Sequence, residues 1–474
     1  MVVLLLATIG LTVTLNRSMS SKTELKIAHN DLVGKQALAT AEAGLRRAAK
    51  LIGDDTADGL NDELENGGTG DTSTGSGMFN FGGIVTDGSH TCKASFRFKA
   101  FPDIAGNDGY CVQVQDNFDE TTAPNDPFTD IDNRVELIAI GLKAAARREV
   151  RAILQYDPGP DCALLTGRNL SITGDPTING RKGCTHSDGD TTVSSDPVLA
   201  KGATASGTLN ISGNPTLEGT VNPAGYAADH QAQAQMTIPS VRPFNFGSGN
   251  VNLATEVSAL GNNGYLLTVG GNVYEGGTWS CTPTCSFSGG PIATGSWNGW
   301  AFHPGTPANW DFNGMAPPNG AFFVEGWVTI SSSPGSAGSP WLATIIALDS
   351  IQVIGNPTMA PFTTTGNLRN LLLVSGNDVE LNGSAGLNSY QGAVFAHQQF
   401  KLNGNPGYTG FIIAEDGLSN WTGDPVPACT DGKDLICDGN TSLVSGDPAI
   451  TYDGLSTSGY GDSIELADWH ETGE

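Results

Sequence analysis

Five stretches decide how this chain is read: LSITGDPTING at 170–180, LNISGNPTLEG at 209–219, IQVIGNPTMAP at 351–361, FKLNGNPGYTG at 400–410 and LVSGDPAITY at 443–452. Each alternates apolar and polar residues and then breaks on Gly-Asn-Pro or Gly-Asp-Pro. The tripeptide starts at Gly174, Gly213, Gly355, Gly404, Gly423 and Gly446, and VSGNDVELNG from Val374 is a further copy without the proline. So many copies with one flank are a repeat, not an accident of a Gly-rich chain. The turn glycines Gly355, Gly376, Gly404, Gly423 and Gly446 lie 21, 28, 19 and 23 residues apart, the period of a β-solenoid coil. In such a turn glycine accepts positive φ, the Asx side chain bonds nearby backbone, and proline ends the ladder. The alternation of Ile351 and Val353 about Gln352 predicts one buried and one wet face.

Between the turns stand near-continuous apolar runs: WLATIIAL from Trp341, NLLLVSG from Asn370, GAVFAH from Gly392 and GFIIAED from Gly410. Strands covered on both faces read this way, so 158–474 is predicted to be a right-handed parallel β-helix whose stacked coils bury one another. A β-sandwich is the alternative, disfavoured because sandwiches rarely repeat one turn tripeptide. Residues 220–340 are less regular, and six of the eight tryptophans fall there or at its edge: Trp279, Trp297, Trp300, Trp310, Trp327 and Trp341. They predict an aromatic-rich insertion around 270–341. Its rings either plug the solenoid, the favoured reading, or stack on sugar rings of surface glycans.

Upstream, the chain opens MVVLLLATIGLTVTL, fifteen residues without a charge, followed by Asn16 and Arg17. As a helix this run spans about 22 Å, short of the roughly 30 Å hydrocarbon core of a bilayer. A cleaved signal peptide is disfavoured because no basic segment precedes the run and no small-residue cleavage site follows it. The sequence continues without proline, and Leu25, Ala28 and Leu32, then Leu38, Ala41, Leu45, Ala48 and Ile52, keep a helical stripe. One helix is predicted over 1–52, near 75 Å long at about 1.5 Å per residue.

An apolar N-terminus running unbroken into a long amphipathic helix, with Ala41, Glu42, Ala43, Gly44 and Leu45, resembles a mature type IV pilin, and more narrowly the PilX-type pilins. The resemblance implies removal of a short leader before Met1 by a prepilin peptidase, and methylation of the new N-terminus. It implies an inner-membrane pool before assembly, contact with other pilins and the assembly machinery, and a filament core built from Met1, Val2, Val3, Leu4, Leu5, Leu6, Ile9, Leu11, Val13 and Leu15. Leu5 stands where family pilins commonly carry a glutamate that pairs with a neighbour's N-terminal amine, a departure found in some tip-type subunits.

After the helix, 53–78 is Gly, Asp, Thr and Ser with almost nothing to bury, a surface loop. Strand-like segments follow at Lys93, Cys111, Arg134 and Arg148, the last two joined by KAAAR as an antiparallel hairpin. Residues 53–157 are thus expected to form a linker and a small antiparallel pilin sheet, making the chain α+β. NDPFTDIDNRVELIAIG from Asn125 also resembles the PilX-like loop and strand at this place. Its Asp126, Asp130 and Asp132 are candidate calcium ligands, but an acidic turn is the favoured reading because a calcium loop's spaced Gly and bidentate Glu are absent.

The eight cysteines fall into sequence neighbours: Cys92 with Cys111, Cys162 with Cys184, Cys281 with Cys285, and Cys429 with Cys437. No CxxC occurs, which disfavours zinc and redox motifs and favours disulfides formed outside the cytoplasm. The net charge of −26 disfavours nucleic acid as a partner. It is uneven: residues 1–50 hold seven Lys/Arg against three Asp/Glu, while 158–474 hold 8 against 27. With 63 glycines and only 15% charged residues, the chain reads as a turn-rich β protein rather than a helical bundle.

No HExxH, GxSxG or phosphate loop is present, and the histidines His29, His90, His186, His230, His303, His397 and His470 show no ligand spacing. His397, in GAVFAHQQF, is expected to be the one well-packed histidine, a structural one. No catalytic residue, cofactor or resident metal is expected, and the chain is not read as an enzyme. The leading function is a structural subunit of a type IV pilus-like extracellular filament, a homo-oligomer assembled through the N-terminal helix with the acidic β domain displayed at the cell surface. The alternatives are a minor or tip pilin that primes assembly and acts as an adhesin, and a secreted β-helix polysaccharide-active protein.

Overall fold

The computed structural model describes residues 2–54, 97–100, 109–117, 134–144, 146–157, 159–217, 235–236, 238–247, 251–277, 279–282, 284–314, 316–383, 389–417, 435–436, 441–455, 457 and 463–472. The chain divides into two units, Met1–Asp157 with Ser463–Glu474, and Pro158–Asp462. The expected third domain, 158–474, therefore loses its last strand. Ser463–Thr472 returns to the first unit and pairs antiparallel with the strand Ala146–Asp157, whose edge would otherwise stay open.

In the first unit, helix α1 spans Val2–Asp54. The sheet runs β1 (Arg97–Ala100), β2 (Gly109–Asp116), β3 (Arg134–Lys143), β4 (Ala146–Asp157) and then Ser463–Thr472, all antiparallel. Strand alternation sends Val112, Val114, Val135, Leu137, Ala139, Val150, Ala152 and Leu154 to one face, where they bury Ala41, Leu45, Ala48 and Ile52 of α1. The hairpin between β3 and β4 is tighter than the five residues expected: Lys143 pairs Ala146, and Ala144 takes φ +50° to make the turn.

The second unit holds two long, mainly parallel sheets around one continuous core running from Cys162 to Tyr452. The chain alternates between them. One sheet carries apolar interior strands such as Leu371–Ser375 and Ser389–Ala396; the other carries alternating strands such as Asn169–Thr173 and Phe400–Gly404. The stacking order departs from the sequence order. The coil 164–179 is followed outward by 185–199 and 203–217, and its other edge receives the last coil, with Thr441–Ser445 on Asn169–Thr173 and Ala449–Thr451 on Thr177–Asn179. From there the stack continues back through Phe400–Gly404, Val379–Gly383, Ile351–Val353 and Trp327–Ile330 to Asn309–Phe312. Beyond it, antiparallel strands take over: Trp300–His303 and Ser296–Trp297 in one sheet, Asn272–Glu275 and Ala293–Thr294 in the other.

The repeated turn works through a ladder. Gly174, Gly213, Gly404 and Gly446 hold φ between +83° and +88°, and a Cβ on Gly404 would overlap the carbonyl of Gly383 on the next coil. The Asx side chain acts across coils: Asn405 accepts from Asp447 N–H at 3.1 Å, Asp175 from Asp196 N–H at 3.2 Å and Asp196 from Asn214 N–H at 3.2 Å. Gly355 differs, since its φ is not in the positive range; glycine is needed there because a Cβ would overlap the Ser332 carbonyl. Gly423 lies outside the described residues.

The aromatic stretch is not an insertion. Asn309–Phe312, Gly320–Val324, Trp327–Ile330 and Trp341–Ala347 are strands of the stack, and Trp279, Trp300, Trp310 and Trp341 are buried in its core. Trp300 packs edge-on to Phe312 and beside Phe322 and Trp341, while the indoles of Trp310 and Trp341 donate to the carbonyls of Thr268 and Pro318.

Candidate functional site

Two places carry chemistry that the fold alone does not require. The first is α1. Its second half is committed to the sheet through small residues: a Cβ on Gly141 of β3 would overlap the backbone of Ala37 and Ala41, and one on Gly44 would sit 2.7 Å from the Tyr110 ring. Ala41, Gly44 and Leu45 of the sequence motif thus form the contact between helix and sheet. Its first half is different. Met19 (65% exposed), Leu25 (69%), Ile27 (63%) and Leu32 (54%) are large apolar side chains standing in solvent. Leu25 and Ile27 point in nearly opposite directions around the helix, so no single face of this chain's own sheet would cover both.

The expected core residues Val2, Val3, Leu4, Leu5, Leu6, Ile9, Leu11, Val13 and Leu15 lie within α1, their side chains outside the described set, as is Met1. Asp126, Asp130 and Asp132 also lie outside the described residues. The disulfides Cys162–Cys184 and Cys281–Cys285 are formed, and Cys111 is disulfide-bonded. Cys92, Cys429 and Cys437 are outside the description.

The second place is a buried polar corner of the second unit, where successive coils turn from the apolar sheet into the alternating one. Asn377, Gln398 and Asp416 stack there, with Gln398 N–H donating to the Asn377 carbonyl at 3.0 Å and Asp416 N–H to that of Gln398 at 2.9 Å. On the preceding position His397 Nδ1 meets Glu415 Oε2 at 2.6 Å. Two coils further, His186 faces Thr204 Oγ1 at 2.8 Å and Asp188 Oδ1 at 3.2 Å. His397 is therefore not the one packed histidine, since His186 is fully buried as well. The polar run THSDGD around it carries no apolar pattern to announce burial; the imidazole is tolerated because both ring nitrogens have partners.

Charge at this corner is spent on backbone. Asp378 Oδ2 accepts from Leu435 and Ile436 N–H at 2.9 and 3.0 Å, Asp188 from Met236 N–H at 3.0 Å, Glu415 from Val241 N–H at 3.0 Å, and Asp416 Oδ2 from Arg168 N–H at 3.2 Å. Burial pushes Asp416 well above the usual carboxylate range, and the nearby Asp378 adds to it. Burial acts the same way on Glu415, but the His397 hydrogen bond and charge overcome it and hold that carboxyl below its usual value. Burial lowers His186 against the pull of Asp188. The carboxylates anchor segments that cross the corner, and among the described residues no group of three or more His, Cys, Asp or Glu is placed to hold a metal ion.

A long N-terminal helix laid on a small antiparallel sheet, followed by a large β unit, is the class the fold defines. No family model and no curated protein matches the chain. Among solved structures it is similar to the competence-associated pilin ComZ from Thermus thermophilus, over 93% of this chain and 97% of that one, at 11% identity and a TM-score of 0.37.

Proposed function

We propose that the chain is a subunit of a type IV pilus-like extracellular filament, assembled through α1 and displaying its acidic β unit, which we read as a parallel β-solenoid, at the cell surface. The observation that carries this reading is the division of α1. From Ala37 onward a stripe of Ala37, Ala41, Leu45, Ala48 and Ile52 is buried, while Met19, Leu25, Ile27 and Leu32 stand exposed. Large apolar side chains left in solvent on more than one side of a helix are stabilised by a neighbour, and copies of the same helix packed side by side supply one. Among the described residues no helix is long and apolar enough to cross a membrane. Tip placement is the second reading, favoured by Leu5 where the resemblance expects glutamate. We assign no catalytic role, because the corner carboxylates are engaged by backbone donors.

Changing Leu25 and Leu32 to aspartate tests the assembly reading without touching the core, since both side chains are already in solvent. The variant should keep the wild-type melting transition and lose filaments under electron microscopy. Filaments of normal number and length would remove the basis for the proposal. A label on the second unit separates main subunit, decorated along the filament, from tip subunit, decorated at one end.

A further inference from the structure

The alternating sheet of the second unit presents one column of side chains with no ionisable group. Strand register stacks Asn382 on Asn403, Asn403 on Ser445 and Ser445 on Thr173. Ser194 and Ser212 continue the column, each one residue past the paired strands, with their N–H groups bonded to Ile172 O and Val193 O of the preceding coil. Each of these side chains is hydrogen-bonded to the neighbouring coil, some to a side chain and some to a backbone carbonyl. Asn403 Nδ2 donates to Asn382 Oδ1 at 3.2 Å and Ser445 Oγ to Asn403 Oδ1 at 2.9 Å, while Thr173, Ser194 and Ser212 each reach a carbonyl of the neighbouring coil at 3.4 Å. Each of these bonds uses one function of its side chain. A hydroxyl keeps an acceptor lone pair and an amide keeps further donors and acceptors, so a preordered row of hydrogen-bonding groups faces solvent at the strand spacing of about 4.8 Å.

We propose that this column is a docking surface for an extended neutral polysaccharide, aligned along the stack with its hydroxyls meeting the ladder. Charge selects the occupant. Beside the column the exposed turn carboxylates Asp447, Asp175 and Asp196 would repel a polyanion. The cation on the adjacent column, Lys401, is paired with Glu380 at 3.1 Å, which also accepts from Gln352. At one end of the row stands Ile354, 52% exposed, directly after Val353, which is in register with Leu381 next to Asn382. A sugar ring has an apolar face suited to such a side chain and a hydroxylated rim suited to the ladder. The groups are already fixed in the free protein, which reduces the ordering cost of binding. This inference does not depend on whether the chain assembles into filaments.

The test is co-sedimentation of the full chain with microcrystalline cellulose, with alginate beads as the polyanionic comparison. The wild type should be retained on cellulose and not on alginate, with retention insensitive to salt. The double variant Asn403→Ala/Ser445→Ala should bind on the order of tenfold more weakly, the effect of removing two hydrogen-bonding groups, while keeping the wild-type melting transition. A second variant, Thr173→Val, keeps the shape of the ladder and removes one hydroxyl, and should weaken retention without unfolding anything. No retention on cellulose, equal retention of the variants, or retention on alginate that salt abolishes would each overturn the proposal.

Discussion

At the residue scale the turn glycines separate two kinds of constraint. Gly404 combines positive φ with a carbonyl of the next coil in the place of a Cβ, whereas Gly338 has open space around it and no such φ. Gly404→Val should cost on the order of 1 to 3 kcal/mol in urea denaturation and Gly338→Val close to nothing; equal costs would mean that the turn is not what fixes the coil. Asp416 sets a second expectation, through pH. Its carboxyl is raised in the folded state, so above the ordinary aspartate value the native protein holds a proton that the unfolded chain has released. That contribution is fully present at low pH and is lost as pH rises through the folded value. Asp416→Asn cannot titrate, so relative to wild type its urea midpoint should gain as pH rises above the ordinary aspartate value of about 4. His186 contributes with the opposite sign, because its folded value is lowered: its stability is present above about 6.5 and lost as pH falls. A variant midpoint parallel to wild type above the ordinary aspartate value would show that Asp416 does not titrate as its burial requires.

At the element scale the helix and sheet are joined by small residues. Leu45 is the largest aliphatic group in the middle of that contact, and Leu45→Ala should cost about 2 to 5 kcal/mol through the cavity it leaves. Gly44→Leu should be as severe by overpacking Tyr110, and both should show as loss of amide protection in β2 and β3 while the second unit keeps its own. Loss of protection confined to α1 would mean that the sheet stands without the helix. The stripe Leu38, Ala41, Leu45, Ala48 and Ile52 was readable because a helix crossing a flat sheet buries residues at regular spacing. The hairpin at Ala144 was not, since KAAAR contains no Gly, Asn or Asp to mark a left-handed turn. His186 escaped for a related reason: Asp188 is local, but the burial and the second partner, Thr204, come from the neighbouring coil.

At the scale of the whole molecule, local repetition and global order were legible to different degrees. The six Gly-Asx-Pro tripeptides of the sequence announce parallel strands, since the described turns among them are satisfied within their own coil and the next. Nothing in them announces which coil is next. The order is fixed by long-range pairing: Tyr452 N–H donates to Asn179 O at 3.0 Å, its hydroxyl to Pro160 O at 3.0 Å, and Arg181 bonds Asp453 through backbone and side chain. The strands of 441–451 therefore lie between 169–179 and 400–409, although they are the last of the unit in sequence, while Ile412–Ala414 pairs directly with Leu164–Thr166. In a stack built in sequence order, deleting the last coil frays one end. Here it opens the middle of the stack, leaving the facing edges of Asn169–Thr173 and Phe400–Gly404 unpaired and only the pairing of Leu164–Thr166 with Ile412–Ala414 to join the two parts. Deleting 441–457 from the full chain should therefore strip amide protection from 164–217 as well as from 389–414, and the loss should be cooperative because each coil is stabilised by its neighbours. Hydrogen exchange read by mass spectrometry distinguishes the cases: protection retained at 164–217 in the deletion variant would mean that those three coils form an independent stack and that the out-of-order closure contributes nothing to their stability.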